Sequence, residues 1–353
     1  MPSGSQFRRL VSGASRGAVA GALRAILAAA EIPYAAAVGF RNRRYDRGRW
    51  PIARASVPVV SVGNLTLGGT GKTPLVEWIA RWLVARGLRV AIVSRGYGGR
   101  GGANDEAREL AERLPGVPHV QQADRRVGAA RAVSEHGAQA IVLDDGFQHR
   151  RLARDLDIVV IDATEPFGFE RVFPRGTLRE PLAGLARAQV VVLSRADLIS
   201  DAERSAIRQR VAMLAPAADW VVAQHVPSGV QTAAGEELPL ESLAWRRVAA
   251  FCGIGNPAAF RRTLEKCGLA IAGFREFDDH HAYLPADLEA LRRWAAKLGA
   301  EALVATHKDR VKIDTALLGE MPLWTLSIRL EIVEGEAALE RRLESLLPRQ
   351  QAS

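Results

Sequence analysis

Cysteine is scarce. Cys252 and Cys267 are the two in 353 residues. They show no CxxC or metal-ligand spacing, which excludes a disulfide-stapled scaffold and a cysteine-based zinc site and reads as reduced thiols in a cytosolic setting. Lysine is scarcer than the charge suggests: of 48 Lys and Arg, five are lysines, at positions 72, 266, 297, 308 and 312. In a chain that writes nearly every cation as arginine, a lysine placed at one particular spot points to a need for a compact ammonium. A clean apolar run of the roughly eighteen residues a spanning helix needs is also absent. The stretch 17–40 is rich in Ala, Leu, Ile and Val but is interrupted by Arg24, Glu31 and Pro33. Its basic cluster follows the apolar part, which argues against a secretory leader. Apart from this Ala/Arg-rich beginning, no internal repeat or low-complexity tract stands out.

What the chain does have is an uneven charge. The formal net charge is +9. Residues 1–55 hold ten arginines (8, 9, 16, 24, 41, 43, 44, 47, 49 and 54) against Glu31 and Asp46, so eight of the nine net charges sit there. A basic arm on a neutral body suits an anionic membrane surface or an anionic ligand, and does not suit a nucleic-acid track. The segment 17–40 then reads as a helix lying in or against a bilayer, with Arg41, Arg43, Arg44, Arg47 and Arg49 at the headgroups. The alternative is an Ala-rich helix packed on the body. Length, 48% hydrophobic and 25% charged residues fit two domains with cores of their own.

The stretch 57–73, VPVVSVGNLTLGGTGKT, organises the rest. A β-branched apolar run at 57–62 has the length and bounding of a buried parallel strand. Gly68, Gly69, Gly71, Lys72 and Thr73 follow, and a helical pattern carrying Leu75, Ile79, Trp82 and Leu83 runs over 74–86. Strand, glycine turn and helix opening on Lys-Thr form a cradle for a nucleotide triphosphate: backbone N–H groups and the helix N-terminus face the phosphates. Thr66, Leu67, Gly68, Gly69, Thr70, Gly71, Lys72 and Thr73 are the expected nucleotide-binding residues. Lys72 would reach the β- and γ-phosphates and Thr73 would place its hydroxyl on Mg²⁺. Thr66 stands where the usual motif has its first glycine.

Further strands are predicted over 88–94, 140–143, 156–161 and 190–193, with helices over 104–114 and 124–136. Strand 140–143 delivers Asp144 and Asp145, backed by Gly146 and His149. An acid at the carboxyl end of a parallel strand is how phosphate-loop enzymes bring a carboxylate to Mg²⁺. Strand 156–161 ends in a rival, Asp162. Residues 164–181 read as a long loop lining a site, and Ser194-Arg195-Ala196-Asp197 is like the box with which some NTPases read guanine. Residues 224–242 look like an inter-domain connection. A second α/β unit follows, with Asp278, Asp279, His280 and His281 in one short motif and a terminal helix over 336–347.

In this order, GNLTLGGTGKTP, SRGYGG, DDGFQHR, LREP, CGIGNP, FDDHHAY and THKD resemble the tetraacyldisaccharide 4′-kinase family of lipid A biosynthesis, over nearly the whole chain. The resemblance implies phosphoryl transfer from ATP, with Mg²⁺, to the 4′-hydroxyl of a tetraacylated glucosamine disaccharide 1-phosphate. It places that reaction at the cytosolic face of the bacterial inner membrane. It implies Lys72, Asp144, Asp145, Asp105 and His280 as catalytic residues, Asp105 accepting the sugar proton and His280 tuning it. It also implies Thr73, Asp144, Asp145 and Glu180 around the metal, and lets Tyr97, Gln148, His149, Arg179 and Lys308 line the site. Where the family usually has GDEP, this chain has Asn104-Asp105-Glu106-Ala107.

The expected architecture is α/β: an N-terminal membrane-associated helix with its basic segment (1–50), a phosphate-loop NTPase-like parallel-sheet domain (51–222), a linker (223–246), a smaller α/β domain (247–330) and a terminal helix (331–353). The expected partners are the lipid substrate and a membrane surface, with no nucleic acid, and the expected state is a monomer. The other function class is a membrane-tethered regulatory or partitioning NTPase whose output is binding.

Overall fold

The computed structural model describes residues 4–96, 110–232, 236–243, 246–279, 281–313 and 318–347. The chain forms two compact units, Met1–Gln224 with Leu330–Ser353, and His225–Arg329.

The first unit is built on parallel strands β1 (Val59–Gly63), β2 (Val90–Ser94), β3 (His119–Gln121), β4 (Ala140–Asp144), β5 (Leu156–Asp162), β6 (Val190–Ser194) and the start of β7 (Asp219–Thr232). Their spatial order is β3-β2-β4-β1-β5-β6-β7. Every residue of β1, β2, β4, β5 and β6 is buried. That is why these strands read as unbroken Val/Ile/Leu runs rather than as alternating ones. The central strand β1 lies between β4 and β5, with Val62 opposite Asp144 and Gly63 opposite Val159. Chain order reverses across β1, so the ligand crevice of such a sheet lies beyond its carboxyl end.

Helices α1 (Gly4–Val11), α2 (Ala18–Asp46), α3 (Lys72–Ala85), α4 (Arg125–His136) and α5 (Asp201–Leu214) belong to the same unit. Two of them differ in extent from the sequence expectation. Helix α3 starts at Lys72 rather than 74, because Pro74 is tolerated in a first turn where N–H groups lack helical partners anyway. Its Leu75, Val76, Ile79 and Leu83 are buried with Val60, Val62, Val142 and Ile158 of the sheet, each such side chain contributing about 1.5–3 kcal/mol. Helix α2 runs past 40 to Asp46, so the basic cluster sits on its last turns, and it continues through Pro33. Of the helix predicted over 104–114, Leu110 and Leu114 lie among the described residues and join the core of α3.

Helix α2 touches the 164–181 loop through Glu31, whose carboxylate accepts from the Val172 N–H at 2.8 Å, and Tyr34, whose hydroxyl donates to the Arg179 carbonyl at 3.3 Å. It exposes Val19, Leu23, Ile26, Ile32 and Phe40. By length and composition the helix is long and apolar enough to cross a membrane, with a mean hydropathy of 1.4 over its most apolar window.

The second unit holds β8 (Glu237–Leu238), β9 (Arg247–Cys252), β10 (Ala270–Glu276), β11 (Ala302–Thr306) and β12 (Leu323–Glu334), with α6 (Pro257–Lys266), α7 (Pro285–Lys297) and α8 (His307–Arg310). Strands β10, β9, β11 and β12 pair in parallel in that order. Residues 224–242, read from sequence as a connection, carry the rest of β7 and its antiparallel partner β8. The breakers Pro227, Gly229 and Gly235 suggested a linker, but tertiary pairing overrides local preference in strands. The chain crosses between units inside β7 and inside β12. It ends in α9 (Glu336–Glu344), whose Leu339 and Leu343 enter the core of α3, where the Trp82 indole N–H donates to Glu340 at 2.8 Å.

Candidate active site

Glycines in and around the turn from β1 into α3 let the chain approach closely or bend. At Gly63 a Cβ would stand 2.5 Å from the Cβ of Phe147, and at Gly146 it would stand 2.8 Å from the Ser61 hydroxyl. Gly68 and Gly71 have φ of +108° and +81°, a backbone conformation open to glycine at little cost. Lys72 opens α3 and Thr73, buried, follows in its first turn.

Asn64, fully buried, organises the loop. Its amide donates to the Thr66 carbonyl at 2.7 Å and its oxygen accepts from Lys72 Nζ at 3.2 Å. Asn64 was not a sequence candidate; the available signal was an uncharged polar residue placed directly after a buried strand. The other side of the loop is zipped to the segment 177–179. The Leu67 N–H donates to the Thr177 carbonyl and the Arg179 N–H to the Leu65 carbonyl, both at 2.7 Å. The long loop 164–181 thereby lies along the phosphate loop, with Thr66 bridged to Leu178. Arg8 of α1 also reaches the loop: a methyl group on Gly68 would come within 2.5 Å of its Nη2.

Asp144 ends β4 beside this loop and Asp145 follows it. Asp144 is buried, and Asp145 turns into the left-handed region at φ 55°. Asp145 Oδ1 lies 3.5 Å from Lys72 Nζ, and both its oxygens accept from Arg179 Nη1 at 2.8 and 2.7 Å. Burial alone would raise this carboxyl, but the charges of Lys72, Arg179 and Arg125 outweigh it and hold it below its ordinary value. His149 is pushed down to about 4, by burial and then by Arg125, against the pull of Asp124. It is therefore neutral at pH 7.

Glu180 has protein partners on both oxygens. It is fully buried, and both its oxygens accept from Arg187 Nη2 at 2.9 Å. Asn42 of α2 donates to it at 2.7 Å and Gln148 at 3.0 Å. With its lone pairs directed at these donors, Glu180 ties α2, the 164–181 loop and the turn after β4 together. The rival acid Asp162 is likewise engaged: it pairs with Arg195 and accepts from the Thr164 N–H and hydroxyl at 2.9 and 2.7 Å. Among the described residues, no group of three or more His, Cys, Asp or Glu could enclose a metal ion.

Asp105, Tyr97 and His280 lie outside the described residues. In the second unit, the buried Asp309 gathers three of the sequence motifs. It accepts from the Gly253 N–H at 3.0 Å, the Tyr283 hydroxyl at 2.9 Å and the Thr306 hydroxyl at 2.6 Å. His281 Nε2 stands 3.1 Å from Asp287, and its ring stacks on Phe277 with centroids 4.7 Å apart. Burial and the Asp309 charge push the Tyr283 hydroxyl far above its ordinary range.

The chain as a whole is similar to known proteins. The family model for tetraacyldisaccharide-1-P 4′-kinase matches residues 23–348. A tetraacyldisaccharide 4′-kinase of Anaeromyxobacter sp. (strain K) is 45% identical over 352 residues, covering 94% of this chain and 92% of the relative. One from Anaeromyxobacter dehalogenans (strain 2CP-C) is also 45% identical, over 348 residues, covering 93% and 91%. Among solved structures, the "apo" form of LpxK from Aquifex aeolicus in complex with ATP superposes with a TM-score of 0.74 at 28% identity, covering 92% of this chain and 100% of that one. The chain belongs to the tetraacyldisaccharide 4′-kinase family.

Proposed function

We propose that residues 66–73 hold the triphosphate of ATP, and that the chain passes its γ-phosphoryl group to the 4′-hydroxyl of a tetraacylated disaccharide 1-phosphate. Family membership makes the chain a phosphotransferase with an alcohol acceptor rather than a regulatory switch. The observation that carries the site assignment is the ammonium of Lys72. It is held at the start of α3 by Asn64, 3.5 Å from Asp145 at the carboxyl edge of the sheet.

In the reaction the sugar O4′ forms a bond to the γ-phosphorus, the bond to the β–γ bridging oxygen breaks, and ADP leaves. The hydroxyl proton passes to the Asp105 carboxylate, with His280 tuning its basicity. An aspartate of ordinary pKa near 4 is a weak base, so such a partner helps at pH 7. Lys72 and the loop N–H groups bind and orient the phosphates, which is most of what phosphoryl transfer asks of a protein. The hard oxygens of Thr73, Asp144 and Asp145 fit Mg²⁺, which is held by one or two carboxylates together with substrate phosphates rather than by an all-protein cage. When bound, the ion neutralises charge on the phosphate oxygens. Arg179 is engaged with Asp145 and sets its charge.

The lipid substrate calls for a membrane surface. The exposed Val19, Ile26, Ile32 and Phe40 of α2, with arginines on its last turns, support seating on the cytosolic face of an anionic inner membrane. The test is transfer of label from γ-labelled ATP to tetraacyldisaccharide 1-phosphate in detergent micelles. Wild type is expected to label the lipid, and Lys72→Ala and Asp105→Ala to lose nearly all of that activity. ATP hydrolysis by wild type without lipid labelling sinks the assignment.

A further inference from the structure

The stretch that resembles a base-reading box, Ser194 to Asp197, makes its contacts with the phosphate loop. Ser194 ends β6 in register with Asp162 of β5 and is fully buried. Its hydroxyl donates to the Thr70 carbonyl at 2.7 Å. The next residue, Arg195, turns into the left-handed region at φ 56°, and its Nη1 donates to the Gly69 carbonyl at 3.1 Å and to Asp162. The other oxygen of Asp162 is taken by Thr164, which fixes the carboxylate behind the guanidinium. A Cβ on Gly69 would meet nothing within 4 Å, while Thr70 beside it is buried.

A trans peptide is planar, so its C=O and the following N–H point in opposite directions. Drawing the carbonyls of Gly69 and Thr70 toward Arg195 and Ser194 therefore turns the N–H groups of Thr70 and Gly71 to the opposite side. Two successive N–H groups facing one side, just before a helix N-terminus, form an anion-binding nest. We propose that Ser194 and Arg195, backed by Asp162, are positioning residues for phosphoryl transfer: a brace that aims the loop N–H groups at the nucleotide's phosphates. This rests on the reading of residues 66–73 as the nucleotide loop. The brace acts through loop carbonyls, so it is expected to serve any polyphosphate equally.

The test compares full-length wild type, Arg195→Ala, Arg195→Lys, Ser194→Ala and Lys72→Ala in detergent. Calorimetric titration uses Mg-ATP and Mg-tripolyphosphate, which has phosphates but no base, and steady-state kinetics add KM for ATP and for the lipid. Arg195→Ala is expected to weaken both ligands by the same factor, about tenfold, the scale of one misaimed charge-assisted hydrogen bond. The lipid KM stays as in wild type, and Arg195→Lys recovers part of the loss. Ser194→Ala, the smaller change, is expected to weaken both ligands about threefold by losing one neutral hydrogen bond, and decides the matter should Arg195→Ala not fold. Loss of ATP affinity with tripolyphosphate bound as in wild type would show that Arg195 reads the base, and overturns the brace. Wild-type affinity for both ligands in both alanine variants also overturns it. Wild-type tripolyphosphate affinity in Lys72→Ala instead removes the nucleotide-loop reading beneath it.

Discussion

Strands β4 and β5 flank the same central strand, both are buried along their whole length, and each brings an acid to its carboxyl end beside the phosphate loop, Asp145 directly after β4 and Asp162 as the last residue of β5. Yet the two carboxylates are neutralised from different directions. Asp145 faces Lys72, the loop's own cation, and Arg179 from the segment zipped along the loop. Asp162 faces Arg195, whose guanidinium also holds a loop carbonyl, and its second oxygen caps the turn at Thr164. A strand-end acid next to a phosphate loop can thus stand on the ligand side, sharing cations with it, or behind the loop, holding its backbone. The third acid, Glu180, does neither: it is buried under α2 and joined to Arg187.

Removing charge on the ligand side should cost most. Asp145→Asn is expected to lower kcat by about 10³-fold, or ~4 kcal/mol, with the protein still folded, measured as lipid phosphorylation. A loss below tenfold would erase the distinction between the two acids. Glu180→Ala comes next, and acts on stability: it strands Arg187 in the interior, at a cost of about 3–5 kcal/mol seen in urea melts. Unaltered melting with lost activity would move Glu180 to the ligand side. Asp162→Asn frees Arg195 and is expected to raise the ATP KM by about fivefold to tenfold, ~1–1.4 kcal/mol, leaving the lipid KM as it was.

A further effect concerns pH. His149 titrates at about 4 in the fold, below its unfolded value of about 6.5. Between those values the unfolded chain binds the proton and the folded chain does not, so stability is lost as pH falls from about 6.5 toward 4. Asp145, held below its ordinary value, acts in the same sense at lower pH: its contribution is present above the unfolded carboxylate value and is lost as pH falls through the folded one. His149→Gln should flatten the upper part of that slope in urea melts taken at successive pH values, and Asp145→Asn the lower part. An unchanged slope between pH 6.5 and 4.5 in His149→Gln would place the histidine in water.

The strand, loop and helix from Val59 to Ala85 were legible because each signal is local. An unbroken β-branched run marks burial on both faces, glycines mark a turn with φ above zero, and apolar spacing marks the buried stripe of α3. The motifs, taken in order, were enough to identify the family. Partnerships at long range were not legible. The sequence favoured the Asp144–Asp145 pair over its rival Asp162 without naming a partner for either; pairing β6 beside β5 sets Arg195 against Asp162, while the zip between residues 65–67 and 177–179 brings Arg179 to Asp145. Nor did the sequence show that Asn42, 138 positions away, and Arg187 would both donate to Glu180. Pro227 and Gly229 suggested a linker, yet β7 runs through them. Sequence by itself determined the elements and the chemistry on offer, because backbone sterics and hydrophobic periodicity act over a few residues. Which carboxylate keeps an open face was decided by tertiary structure, because a buried charge takes its partners from whatever strands and loops the topology sets beside it.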